Sequence, residues 1–145
     1  MRYWDTSALL KLYVSEPDSA YFLELISRTD EPLATSDIAS AEVLCALFRK
    51  ESARDLKPGG ASTVFRRFRA DSRAGRIVLI PFGPDVFQQV ERVARLAFER
   101  RPPIPVRSLD LIHLASAAAM KATTLVATDQ RLRALARLAA LNLLP

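Results

Sequence analysis

Short apolar runs alternate along this chain with longer amphipathic segments, and that alternation limits the fold more than any other feature. It implies strand–helix units and a mostly parallel sheet, the α/β class. Strands are expected at Arg2–Trp4, Leu33–Thr35, Ile77–Ile80 and Thr124–Ala127, with a last short one at Leu141–Leu144. Helices are expected at Thr6–Val14, Asp18–Arg28, Asp37–Ser52, Ser62–Ala74, Pro84–Glu99, Leu109–Lys121 and Gln130–Leu138. Pro17, the "KPGG" of Lys57–Gly60, Pro81–Pro84 and the "RPPIP" of Arg101–Pro105 fall where this scheme needs breaks. Ser108 is placed to cap the helix that follows it. The segments Asp37–Ser52 and Ser62–Ala74 read as a helical hairpin that projects as an arm or clamp.

The chain has 145 residues, which fits one domain over 1–145, and it shows no internal repeat, low-complexity tract or linker. Its single cysteine, Cys45, excludes an intrachain disulfide and a Cys-rich zinc site. Apolar neighbours at helical spacing make Cys45 a buried thiol. No apolar run approaches the ~20 residues of a membrane span, and no signal-peptide stretch opens the chain, so a reducing, cytoplasmic setting is expected. The formal charge of +5 matters less than its distribution. One arginine cluster runs from Arg66 to Arg76, and another comprises Arg92, Arg95, Arg100, Arg101 and Arg107. Either would attract a polyanion.

Four carboxylates carry the chemical signal. Asp5 follows the first strand, where open parallel sheets bind ligands, although the same position suits a helix cap. Asp129 repeats that situation after "TLVAT". Glu42 shares a helical stripe with Ile38, Ala41 and Cys45, with Leu44 and Phe48 extending the apolar surface, and a carboxylate there needs a cation or donor to meet it. Asp110 lies two residues past Ser108, at the rim of a strongly apolar helix. His113, the only histidine, reads as a packed, hydrogen-bonded residue with no catalytic role.

Together the four say more than any one does. In a doubly wound topology they converge on one edge of the sheet. Two unit charges ~4 Å apart repel by about 4 kcal/mol at an effective dielectric of about 20, so such a cluster needs divalent cations or must stay partly protonated. Oxygen-only ligands favour Mg²⁺ or Mn²⁺ over zinc. A cation so held activates water and stabilises phosphoryl charge, while flanking arginines, Arg107 among them, draw in phosphate.

The ordered set "DTSALLKLY", "SAEVLCAL", "RSLDLIHLASA" and "LVATDQRL" resembles the PIN domain, and within it the VapC-type toxins of bacterial toxin–antitoxin operons. The resemblance spans nearly the whole chain. It implies a three-layer α/β/α sandwich and a Mg²⁺- or Mn²⁺-dependent endoribonuclease. Asp5, Glu42 and Asp110 match the family's main acidic triad, Asp129 its more variable fourth acid, and Thr6 or Ser7 the hydroxyl that orients metal, water or phosphate. The pattern departs at Ala127, where family members often carry Thr or Ser; Thr128 stands next to it instead. The resemblance also implies a homodimer and an antitoxin whose C-terminal segment wraps the toxin and blocks the cleft; the hairpin around Lys57–Gly60 is where its groove is expected.

The expected mechanism is hydrolysis of an RNA phosphodiester. Asp5 and Asp110 hold the principal cation, and Asp129 and Glu42 complete the site directly or through water. Two other classes compete: a catalytically inactive PIN-like protein that binds RNA or a partner, and a Mg²⁺-dependent phosphatase. The phosphatase would need a basic residue beside Asp5, where only Lys11 is near.

Overall fold

The computed structural model describes every residue, Met1–Pro145. Its elements in chain order are β1 (Arg2–Trp4), α1 (Thr6–Leu10), α2 (Ser19–Ser27), β2 (Leu33–Ser36), α3 (Ala39–Ser52), α4 (Gly60–Arg73), β3 (Ile77–Ile80), α5 (Pro84–Phe98), α6 (Ser108–Ala119), β4 (Thr124–Val126), α7 (Gln130–Leu138) and β5 (Asn142–Leu144). The five strands form one sheet in the order β3-β2-β1-β4-β5, and every pairing is parallel.

Strand side chains alternate between faces, and in β1 both faces are buried. Trp4 joins one apolar cluster with Leu9, Phe22, Val43, Leu47 and Phe68, drawn from α1 to α4. Tyr3 points the other way, into a cluster with Val93, Leu114, Leu132 and Leu135 from α5 to α7. The sheet is therefore the middle layer of an α/β/α sandwich. A strand of only three residues cannot hold itself. Burial of each large apolar side chain stabilises by roughly 2–3 kcal/mol, which is what anchors β1 in the centre.

Crossovers between parallel strands are almost always right-handed. The chain first adds β2 and β3 to one side of β1, with α1–α4 over one face, then crosses to add β4 and β5 on the other side, with α5–α7 over the opposite face. The order reverses between β1 and β4, and beyond the carboxyl ends of such a pair lies the crevice where open α/β sheets bind ligands.

Three expectations need correction. The first helix stops at Leu10, not Val14, because the chain turns so that Val14 enters the core and the Tyr13 hydroxyl reaches Asp71 at 2.5 Å. The α3–α4 hairpin forms, but both ends of α4's inner side, Ala61 and Phe68, are built into the core, so it is no free arm. Gly59, with φ of 77°, makes the left-handed turn into α4 that the "KPGG" requires. Finally, Ser108 is the first residue of α6 rather than its cap; Arg107 holds that position and no side chain caps the helix.

Candidate active site

Asp5 follows β1 directly and caps α1. Its Oδ1 accepts the Ala8 amide at 2.8 Å, so the helix-cap reading holds. The cap does not exhaust the residue. The Ser7 hydroxyl also donates to the carboxylate, 2.9 and 2.8 Å from its two oxygens, and the Thr128 hydroxyl lies 2.5 Å from Ser7. With Ser7's hydrogen committed to Asp5, Thr128 donates to Ser7, which gives Thr128 a place in holding Asp5. Asp5 is only 4% exposed, and burial pushes its pKa up to about 6, beyond what the Ala8 and Ser7 hydrogen bonds pull back.

Asp129 caps α7, its Oδ1 accepting from the Arg131 and Leu132 amides at 2.8 and 3.1 Å. Asp110 sits in the first turn of α6, where Oδ2 is buried with no hydrogen-bond partner. Burial, and then the charge of Asp129, raise the Asp110 pKa above the usual carboxylate value.

Glu42 projects from the first turn of α3, half-buried. Its Oε2 accepts the Thr6 hydroxyl at 2.5 Å and lies 2.6 Å from His113 Nε2. Burial pushes the Glu42 pKa up, but His113 and Thr6, with the Arg49 charge, outweigh it and hold it below the ordinary value.

All seven residues singled out in the sequence, Asp5, Thr6, Ser7, Glu42, Arg107, Asp110 and Asp129, line one cleft of about 610 Å³ beyond the carboxyl ends of β1 and β4. Of the two arginine clusters only Arg107 reaches it. Arg49, which sequence reasoning passed over, lines it as well, two helical turns after Glu42 on the same stripe. That seven-residue spacing was the available signal. His113 also lies in the cleft wall, buried as expected.

The apolar stripe carrying Glu42, expected from the buried Cys45 to face the core, instead lines the cleft. Ile38, Ala41 and Cys45 face the opening, while the core face of α3 is Ala39, Val43 and Leu47. Cys45 is exposed rather than buried, and Phe48 is 48% exposed. "VLCALF" is apolar almost all round, so its periodicity does not fix the helix phase. Lys11, the only nearby base for an aspartyl-phosphatase reading, is committed to Glu16 and Asp18 at 2.7 and 2.6 Å.

The family model for the PIN domain matches residues 2–138. The chain belongs to the PIN-domain family. This PIN domain is 36% identical over 137 residues to ribonuclease VapC47 of Mycobacterium tuberculosis, covering 91% of this chain and 87% of that one. It is 37% identical over 116 residues to ribonuclease VapC46 of the same species, covering 79% and 72%. Among solved structures, VapBC2 from Rickettsia felis, bound to a DNA fragment from its promoter, superposes with a TM-score of 0.69 at 21% identity, covering 99% of this chain and 98% of that one. VapBC-1 from nontypeable Haemophilus influenzae gives 0.67 at 15% identity, covering 99% and 97%. At those identities the likeness is one of fold.

The donors of this PIN domain fit a hard divalent cation in chemistry: they are all oxygens, one is buried and unpartnered on Asp110, and Asp5 and Asp110 resist ionisation without a counter-charge. They are not drawn into a finished ligand cage, since no three acidic, histidine or cysteine side chains converge closely enough to hold an ion. Asp129 keeps Oδ2 free of protein hydrogen bonds while Oδ1 caps α7. No helix is long and apolar enough to cross a membrane.

Proposed function

We propose that this PIN domain is a metal-dependent endoribonuclease that hydrolyses RNA phosphodiesters and serves as the toxin of a toxin–antitoxin pair. The observation that carries the reading is the unpartnered Asp110 Oδ2 in a cleft ringed by Asp5, Glu42 and Asp129, in a chain whose curated relatives are named ribonucleases. Asp5, Asp110 and Asp129 would hold Mg²⁺ or Mn²⁺. Such an ion supplies Lewis acidity, neutralises phosphoryl charge and lowers the pKa of water.

The chain's own residues do the rest. Arg49 and Arg107 bind substrate phosphate at the cleft rim. Ser7, braced by Thr128, keeps the Asp5 carboxylate in one orientation. Glu42 stays ionised and is the base that takes a proton from the attacking water; its Oε1 receives no hydrogen bond from the protein. Thr6 fixes Glu42 through Oε2.

A cognate antitoxin and a second copy of the chain complete the proposed assembly, and an RNA substrate puts its action in the cytoplasm. The antitoxin is assigned to the α3–α4 hairpin around Lys57–Gly60. Crosslinks from a co-expressed antitoxin that map only elsewhere would overturn that assignment. The activity itself is tested by incubating antitoxin-free protein with total RNA: cleavage with Mn²⁺ and none in chelator supports it, and intact RNA in both overturns it.

A further inference from the structure

The cleft wall contains a buried hydrogen-bonded chain that runs through the lone histidine. The Ser36 amide donates to the Tyr3 hydroxyl oxygen at 2.9 Å, that hydroxyl lies 2.7 Å from His113 Nδ1, and His113 Nε2 lies 2.6 Å from Glu42 Oε2. Five elements meet in this chain: Tyr3 on β1, Thr6 on α1, Ser36 on β2, Glu42 on α3 and His113 on α6. Tyr3 is 0% exposed and His113 3%.

The geometry points to a positioning role for His113: it donates its Nε2 hydrogen to Glu42 and so fixes the carboxylate that the proposed ribonuclease reading uses as base. The direction of the chain follows from proton counting. A phenol titrates ordinarily at about 10, so at neutral pH the hydroxyl keeps its hydrogen. Its oxygen already accepts the Ser36 amide, and Nδ1 is the acceptor within reach. The Thr35 and Ser116 hydroxyls lie near the same phenol but complete no hydrogen bond, so the 2.7 Å contact with Nδ1 is the one that takes its hydrogen. A ring that accepts at Nδ1 carries its own hydrogen on Nε2, where Glu42 waits. Tyr3 thus sets the tautomer, the tautomer sets the donor, and the donor holds Glu42 against Thr6. His113 acts through Glu42 and need touch no substrate.

Two readouts separate this from packing alone. In ring-nitrogen NMR of the intact wild-type protein, the His113 proton resides on Nε2; a proton found only on Nδ1 overturns the proposal whatever the enzyme does. In cleavage assays, His113→Ala lowers kcat about 10–100-fold with KM little changed, the usual loss when an outer hydrogen-bonding partner is removed. His113→Gln, whose amide N–H reaches the Nε2 position, recovers most of that loss, while the shorter His113→Asn does not. Because His113 acts only through Glu42, Glu42→Gln/His113→Ala is no slower than Glu42→Gln alone. Additive losses, or no rescue by Gln in a protein that melts normally, would overturn it. Wild-type protein that cleaves no RNA refutes the ribonuclease reading instead, and the NMR result still decides the hydrogen-bond direction.

Discussion

The Asp5 amide donates to the Val126 carbonyl at 3.0 Å, so the residue that follows β1 is bound by its own backbone to the strand that leads into Asp129. Trp4 and Val126 are register partners one step earlier. The ladder thereby fixes Asp5 directly, and Asp129 follows its last rung by three residues and is held as the cap of α7, so both carboxylates are mounted on regular elements.

Asp5 has two jobs, and substitutions separate them. Asn caps a helix about as well as Asp. Asp5→Asn is therefore expected to melt at or above the wild-type temperature in metal-free buffer at neutral pH, yet to lose at least ~100-fold in cleavage. Asp5→Ala also loses the Ala8 cap and should cost about 1–2 kcal/mol of stability. Equal unfolding of the two variants in urea would show that the cap contributes nothing.

The same carboxyl makes stability depend on pH. Burial pushes the Asp5 pKa up to about 6 in the fold against 3.8 for an ordinary Asp, so between those values the native state holds a proton that the unfolded chain has released. Its contribution is present below the lower value and lost as pH rises through the upper one, on the order of 3 kcal/mol. Asp110, also raised, adds in the same direction. Glu42, lowered, acts oppositely, and its contribution is lost as pH falls below its ordinary 4.5. Urea unfolding in chelator from pH 4 to 7 should show the decline in wild type and a flatter profile in Asp5→Asn; identical slopes would refute the assignment.

A divalent cation should reverse that cost. At about 100 times its dissociation constant, a ligand bound only to the native state adds ~2.7 kcal/mol, or roughly 5–10 °C in Tm for a domain of this size. Mn²⁺ is expected to raise the wild-type melting temperature at neutral pH by that much and Asp110→Asn by far less. An equal rise in both proteins would place the ion elsewhere.

Much of this was legible in the sequence, and the misses share a cause. β1, β3 and α7 fall where their patterns put them, because short apolar runs and a clear amphipathic stripe leave little choice. The cleft residues were legible through motif order, and Asp5 and Asp129 through their place after strands. What stayed hidden depended on tertiary phase. The two apolar stripes of α3 look alike until the sheet selects Val43 and Leu47, which turns Cys45 and Arg49 toward the cleft. Nor does any local pattern tie Tyr3 to His113 across 110 positions.

Arg49 and Arg107 should reveal themselves through salt. Each phosphate contact to a single strand contributes about 0.7 to the slope of log affinity against log salt. Arg49→Ala and Arg107→Ala are each expected to raise KM several-fold and to flatten that slope by about that amount, with kcat less affected. A loss of affinity with the salt slope unchanged would mean the guanidinium does not meet phosphate.

The most direct measurement is cleavage of total RNA by antitoxin-free protein, with Mn²⁺ and with chelator, beside Asp110→Asn. Wild-type protein should cut only with the ion, and the variant should leave RNA intact in both. Cutting in chelator, or equal cutting by Asp110→Asn, would contradict a carboxylate-held cation as the centre of this site.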